Sequence, residues 1–181
     1  FGLTYVPGEP TTVNKVYKAI SVILAQKYDN VAYDLSCDGA KALNDRLGLD
    51  DNVYYFSYAF RTTVDDPVTG KAQVALPSTL AILRPFSEMM GIYKQNPDAP
   101  YPIDETWAPN DGLVNVVAAQ YPFGDPHVDY NAEDIQPGIW NVMPLSTGDH
   151  GNAIGIGVTE EALLDYYMGM INMIESLPIT D

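Results

Sequence analysis

Two short runs, "NVYYFSYAF" and "GIWNVMP", most restrict what this chain can fold into. The first is dense in Val and aromatic residues and does not alternate with polar ones, the pattern of a strand buried on both faces. The second reads the same way. Between and around them lie segments of helical period. Thr12 stands ahead of "VNKVYKAISVILAQ", where Val13, Val16, Ile20, Ile23 and Leu24 fall on one face. "GAKALNDRLG" fits a shorter helix closed by Gly48. In "TEEALLDYYMGMINMIESL", Thr159 is placed to cap, and Glu160 and Glu161 suit the positive end of the helix dipole. Leu163, Tyr167, Ile171 and Ile174 are expected to form its buried stripe. Short buried strands mixed with amphipathic helices point to an α/β layered fold.

The intervening segments are less decided. "TTVDDPVTGKA" reads as a turn-rich excursion, and "PSTLAILRPFSEMMGIY" as either helix or apolar connection. "GLVNVVAAQ" looks like a short β-like segment, and "YPFGDPHVDYNAEDIQP" like a long irregular stretch. No repeat and no clean boundary divides the 181 residues, which are read as one piece, 1–181.

Charge and cysteine usage remove several functions. Nine Lys plus Arg against 24 Asp plus Glu give a formal charge of −15, the reverse of the basic footprint that nucleic acid requires. The single cysteine, Cys37, excludes an internal disulfide and a CxxC metal site. It opens a helix beside acidic residues, which disfavours a thiolate nucleophile. No apolar run reaches the roughly 18 residues of a membrane span. The chain begins with Phe1 rather than Met and carries no signal-peptide pattern, which suggests a processed chain, a nicked chain or a piece cut from a longer precursor.

One pair of residues suggests chemistry. His150 lies in "LSTGDHGNAIG", directly after an apolar run, with Gly148 and Gly151 allowing a tight turn. Imidazole takes and returns a proton near neutral pH. Asp111, in "WAPNDGLVNV", can hold such an imidazole in one tautomer; an ordinary Asp-Gly turn is the alternative. Acid before histidine, with histidine late in the chain, is the order of α/β-hydrolases. No G-x-S-x-G elbow occurs, and the serines of "LSCDGA" and "PLSTGD" lack its strand–turn–helix setting. Asp125, His127 and Asp129 in "GDPHVD" offer metal-binding side chains, although a solvated loop explains them as well.

The ordered blocks "FGL", "DNVAYDLSCDGAKALN", "NVYYFSYAFRTT", "ETWAPNDGLVNVVAAQYPF", "IQPGIWNVMP" and "GDHGNAIG" resemble the C-terminal half of secreted bacterial true lipases of the staphylococcal and thermoalkalophilic bacillus type. The resemblance implies the C-terminal portion of an α/β-hydrolase sheet with flanking helices, and a triacylglycerol lipase or esterase active outside the cell. It makes Asp111 the triad acid and His150 the base. The serine, the oxyanion hole and most of the lid would lie in an N-terminal half, expected as a separate chain of the same precursor. Without that half the chain is expected to be inactive and to expose apolar strand edges. The substrate is a lipid or other ester.

No cofactor is implied for the chemistry. A structural zinc is implied through Asp29, whose companion ligands belong to the other half. The family's structural calcium is held by acidic residues shortly after the histidine; the matching positions here are Asn152 and Gly157, which do not support it. A binding or scaffold chain that keeps the pair as a remnant is the alternative, followed by a metal-dependent hydrolase built on His127 and His150.

Overall fold

The computed structural model describes Lys18 and residues 34–70, 73–93 and 103–178. The helix expected over residues 13–26 and the zinc-ligand position Asp29 lie outside the described residues. The chain divides into two compact units, one of Phe1–Leu49 with Pro122–Gly124, the other of Asp50–Tyr121 with Asp125–Asp181.

The first unit contributes helix α1, Cys37–Asn44. Ser36 caps it, its hydroxyl accepting from Gly39 N at 3.1 Å, which satisfies one of the four free N–H groups of the first turn. Lys41 pairs with Asp45 at 2.7 Å one turn on. The helix stops four residues short of Gly48.

The second unit is built on parallel pairing. Strands β1 (Tyr55–Ser57) and β2 (Phe60–Arg61) are two stretches of the aromatic-rich run. Strand β3 (Thr63–Asp65) pairs antiparallel with β4 (Gln73–Ala75), so the expected turn-rich excursion is a β-hairpin. Its turn is tied by Gly70 N donating to Asp66 O at 2.7 Å and Val68 N to Asp66 Oδ1 at 2.9 Å. Helix α2, Arg84–Ile92, resolves the ambiguous apolar segment and starts with a proline in its first turn. A short 3₁₀ turn, Glu105–Trp107, leads to helix α3, Val116–Gln120.

Strand β5 (His127–Asp129) lies within the stretch expected to be irregular. Strand β6 (Trp140–Val142) is the expected one, and β7 (Ser146–Thr147) continues it. The sheet order is β1-β6-β5, all parallel, with Trp140 opposite both Tyr55 and His127. β2 pairs with β7 in parallel, Phe60 opposite Ser146. Between these two ladders Met143 N donates to Ser57 O and Ser146 N to Ala59 O, so one bent strand pair runs through the interruption. Pro144, which has no N–H to give, stands in the gap. The β6–β7 chain thus runs straight into the turn that carries His150.

Helix α4, Glu160–Glu175, ends the described fold. Thr159 caps it as expected, accepting from Ala162 N at 3.2 Å. Its packed face differs from the expected stripe. Tyr166 is the anchor, edge-on to Tyr58 (5.7 Å) and Phe60 (5.8 Å), and Leu163, Met170 and Met173 are half-buried with it. Tyr167, Ile171 and Ile174 are instead 44%, 45% and 57% exposed. The helix is apolar on more than one face, so periodicity alone could not choose the face that docks. The aromatic ring of Tyr166 decided it.

The buried apolar side chains among the described residues are few: Ala59, Leu83, Val116 and Val142. Beside them sit Asn110, Asn141, Thr62, Thr63 and Asp149, each at most 1% exposed. Asn141 shows how such groups are tolerated: its amide donates to Tyr55 O and Gln136 O and accepts from Gln136 N at 3.1 Å.

Candidate active site

The acid side of the site is a closed turn. Asn110 and Asn115 bridge across it, and Asp111 N donates to Val114 O at 3.0 Å. Asp111 Oδ1 accepts from Leu113 N (2.9 Å) and Val114 N (2.8 Å), an arrangement that Asp side chains favour in turns. Those two bonds leave the other oxygen free for a third partner. Gly112 holds φ at +99°, and a Cβ there would lie 2.9 Å from Leu83 Cβ, so the next position accepts glycine alone. Asn110, wholly buried, donates to Ser87 O (3.0 Å) and Ala108 O (2.9 Å) and accepts from Gly112 N (3.0 Å). The segment after Asp111 is therefore a turn followed by helix α3, and the expected β-like segment is not formed. Side-chain capture of the backbone by two Asx residues outweighs the β propensity of the valines that follow.

The histidine side follows β7. His150 Nδ1 pairs with Asp111 Oδ2 at 2.8 Å, and His150 N donates to Asp111 O at 2.9 Å. Two bonds between residues 39 apart fix both the position and the tilt of the ring. The carboxylate is 8% exposed and the imidazole 47%, so the carboxylate is sheltered while the imidazole remains accessible. Nε2 has no partner among the described residues. An imidazole held through Nδ1 by a buried carboxylate presents a basic Nε2, the arrangement that draws a proton from a nucleophile's hydroxyl.

The turn itself is fastened beneath the ring. Asp149 Oδ2 accepts from Leu80 N (2.7 Å) and Oδ1 from Gly151 N (2.9 Å). Asp149 N donates to Asn152 Oδ1 (2.7 Å), and Asn152 Nδ2 donates to Ile156 O (2.9 Å). Thr62 links the two loops: its N–H donates to Asn110 O at 2.9 Å, and its hydroxyl meets that of Thr79 at 2.6 Å, next to Leu80. Asn110 and Asp149 were missed by sequence reasoning, and Asn152 was read only as a position that does not support calcium. Asn110 and Asp149 reach the distant backbone groups Ser87 O and Leu80 N, whereas Asn152 bonds within its own turn, and the only local hint was their place beside Asp111 and His150.

The remaining candidates are not brought to this place. His127 is exposed on β5, its ring stacked on Tyr121 at 3.6 Å and 12°, with Nδ1–H donating to Asp125 O at 3.1 Å. Asp125 Oδ2 accepts from Trp140 Nε1 at 3.2 Å. No group of three His, Cys, Asp or Glu side chains with metal-binding geometry occurs among the described residues. Cys37 begins α1, and burial, then Asp38, pushes its thiol up, away from thiolate reactivity. Ser36 is a helix cap, Ser57 and Ser87 are buried, and Ser146 lies on β7.

The implied calcium does not fit the residues present. Gly157 supplies no side chain. Asn152 directs an NH2 donor at Ile156 O, whereas calcium requires six to eight oxygen ligands.

Comparison with known proteins agrees with this architecture. The profile of the family described as "Lipase-like, C-terminal domain" matches residues 1–179. Lipase 2 of Staphylococcus aureus is 29% identical over 152 residues, 80% of this chain and 20% of that protein. The lipase of Staphylococcus hyicus is 33% identical over 130 residues, 70% of this chain and 18% of that protein. The chain thus spans about a fifth of the length of the curated relatives it matches. Among solved structures, EstA from Clostridium botulinum superposes with a TM-score of 0.76 at 30% identity, covering 90% of this chain and 39% of that one. Lipase 1 from Pelosinus fermentans does so with 0.68 at 32% identity, covering 98% and 47%. The chain belongs to the lipase-like C-terminal domain family, and its parallel strands and flanking helices are the C-terminal portion of an α/β-hydrolase fold.

Proposed function

We propose that this chain takes part in carboxylic ester hydrolysis, with a triacylglycerol or related lipid ester as substrate, and supplies the base and the orienting acid of a serine triad. The observation that carries the reading is the double tie between Asp111 and His150. A serine hydroxyl loses its proton to His150 Nε2 as it attacks the acyl carbon. The imidazolium so formed is stabilised by Asp111, and the proton then passes to the leaving alkoxide. Water repeats the cycle on the acyl-enzyme.

The serine and the backbone donors for the oxyanion come from sequence outside these 181 residues. Support for this is the absence of an elbow motif, with Ser36 capping α1, Ser57 and Ser87 buried, and Ser146 on β7. Residues 1–181 then form the C-terminal part of one hydrolase domain, whose N-terminal half is the partner, and the exposed apolar residues of α4 are consistent with such cover. Secretion follows from the same reading. Replacing His150 by Ala in the full-length protein, with its N-terminal half, should abolish hydrolysis of a p-nitrophenyl ester; turnover within tenfold of the parent would discard the assignment.

A further inference from the structure

The turn that carries His150 is organised around two side chains that do not touch the ring. A Cβ built on Gly148 would lie 2.5 Å from Asn152 Oδ1 and 3.2 Å from the Phe60 ring. One built on Gly151 would lie 2.7 Å from Leu80 Cδ1 and 3.2 Å from Asp149 Oδ1. The glycines flanking Asp149 and His150 therefore make room for the Asn152 amide on one side and for Leu80 and the Asp149 carboxylate on the other. Asn152 then gives an acceptor to Asp149 N and a donor to Ile156 O, closing the five residues 152–156 on themselves. Asp149, 1% exposed, reaches out of the turn to Leu80 N, 69 residues away in sequence.

We propose that Asn152 and Asp149 are positioning residues that hold the His150 turn by hydrogen bonds where the resemblance implies a structural calcium, so that the His150–Asp111 pair is set without that ion. The proposal rests on the reading of His150 as the base. The chemistry of position 152 is its core. A carboxamide offers one acceptor and one donor, and both are used. A carboxylate there would turn a second acceptor toward the Ile156 carbonyl, a contact that asks for a cation between them. With Asn the contact is already a hydrogen bond. With glycine at 157, no side chain remains at the second implied ligand position.

The test uses the full-length protein with a soluble p-nitrophenyl ester at 25 °C, comparing EGTA with excess calcium chloride. For the parent, kcat and the melting midpoint should be the same in both. Asn152→Asp keeps the acceptor for Asp149 N and loses the donor. It should lower kcat about tenfold in EGTA with KM within twofold, because a misplaced base slows the chemical step more than binding. Asn152→Ala, which loses both bonds, should fall further, and Asp149→Asn, which keeps one acceptor, should fall in between. A graded loss confined to kcat separates positioning from general destabilisation, which would shift the melting midpoint without that split. Parent activity or melting that drops in EGTA and returns with calcium would overturn the proposal, as would parent-like kcat in both Asn152 variants. If His150→Ala retains turnover, the base assignment itself fails, whatever calcium does.

Discussion

Asp111→Asn separates orientation from stability in the full-length protein. In the parent the carboxylate accepts three N–H groups, those of Leu113, Val114 and His150 Nδ1. The amide keeps one oxygen for Leu113 and Val114 and turns an NH2 group toward the ring. Two donors cannot face each other, so Nδ1 must surrender its proton and Nε2 must carry it. The base is then blocked at the atom that should act. In a serine triad this tautomer error lowers turnover by about 10³–10⁴, or about 4–5.5 kcal/mol of transition-state stabilisation. The stability cost is smaller. Two charge-assisted bonds to backbone N–H groups become neutral ones, a loss of about 1 kcal/mol each. About 2 kcal/mol would lower the melting temperature of a 150–250-residue domain by roughly 4–8 °C, and that of the longer full-length protein by less, leaving the variant folded at 25 °C. Initial rates on a p-nitrophenyl ester, with melting followed in parallel, read both effects. A folded Asp111→Asn variant retaining more than a tenth of parental kcat would refute the reasoning.

Two further effects follow from α4. Thr159→Ala removes the bond to Ala162 N and should cost about 1 kcal/mol, read as a lower denaturation midpoint; no change would show that the cap is dispensable. Tyr166 has its phenol pushed up to about 12 from 10.0 by burial, with Tyr58 and Tyr167 adding to it. Because the folded chain holds that proton more tightly, the stability it contributes is complete below pH 10 and drains away as pH rises toward 12. Tyr166→Phe should flatten the fall in unfolding free energy between pH 10 and 11, measured in denaturant; an unchanged slope would contradict this.

Sequence showed some levels of this structure and hid others for identifiable reasons. Helix α4 could be read because Thr159, Glu160 and Glu161 mark its start, yet its docking face could not, since Tyr166 and Tyr167 are equally plausible anchors and only long-range packing against Tyr58 and Phe60 chooses. Strand β6 was evident in "GIWNVMP", while β5 was hidden because "HVD" follows Pro126 and has one apolar residue. The valines of "GLVNVV" suggested a strand, but Asp111 captures two backbone N–H groups and closes a turn there. Asp111 and His150 stood out by residue type, order and resemblance. Asn110 and Asp149 did not, because buried polar groups are justified by the backbone groups that satisfy them, and distant partners such as Leu80 leave no local signature.

The most direct measurement is covalent labelling of the full-length protein with a fluorophosphonate, followed by peptide mapping. A single labelled serine outside residues 1–181 is expected, with labelling lost in His150→Ala. A label on a residue within the 181, or equal labelling with and without the histidine, would contradict it.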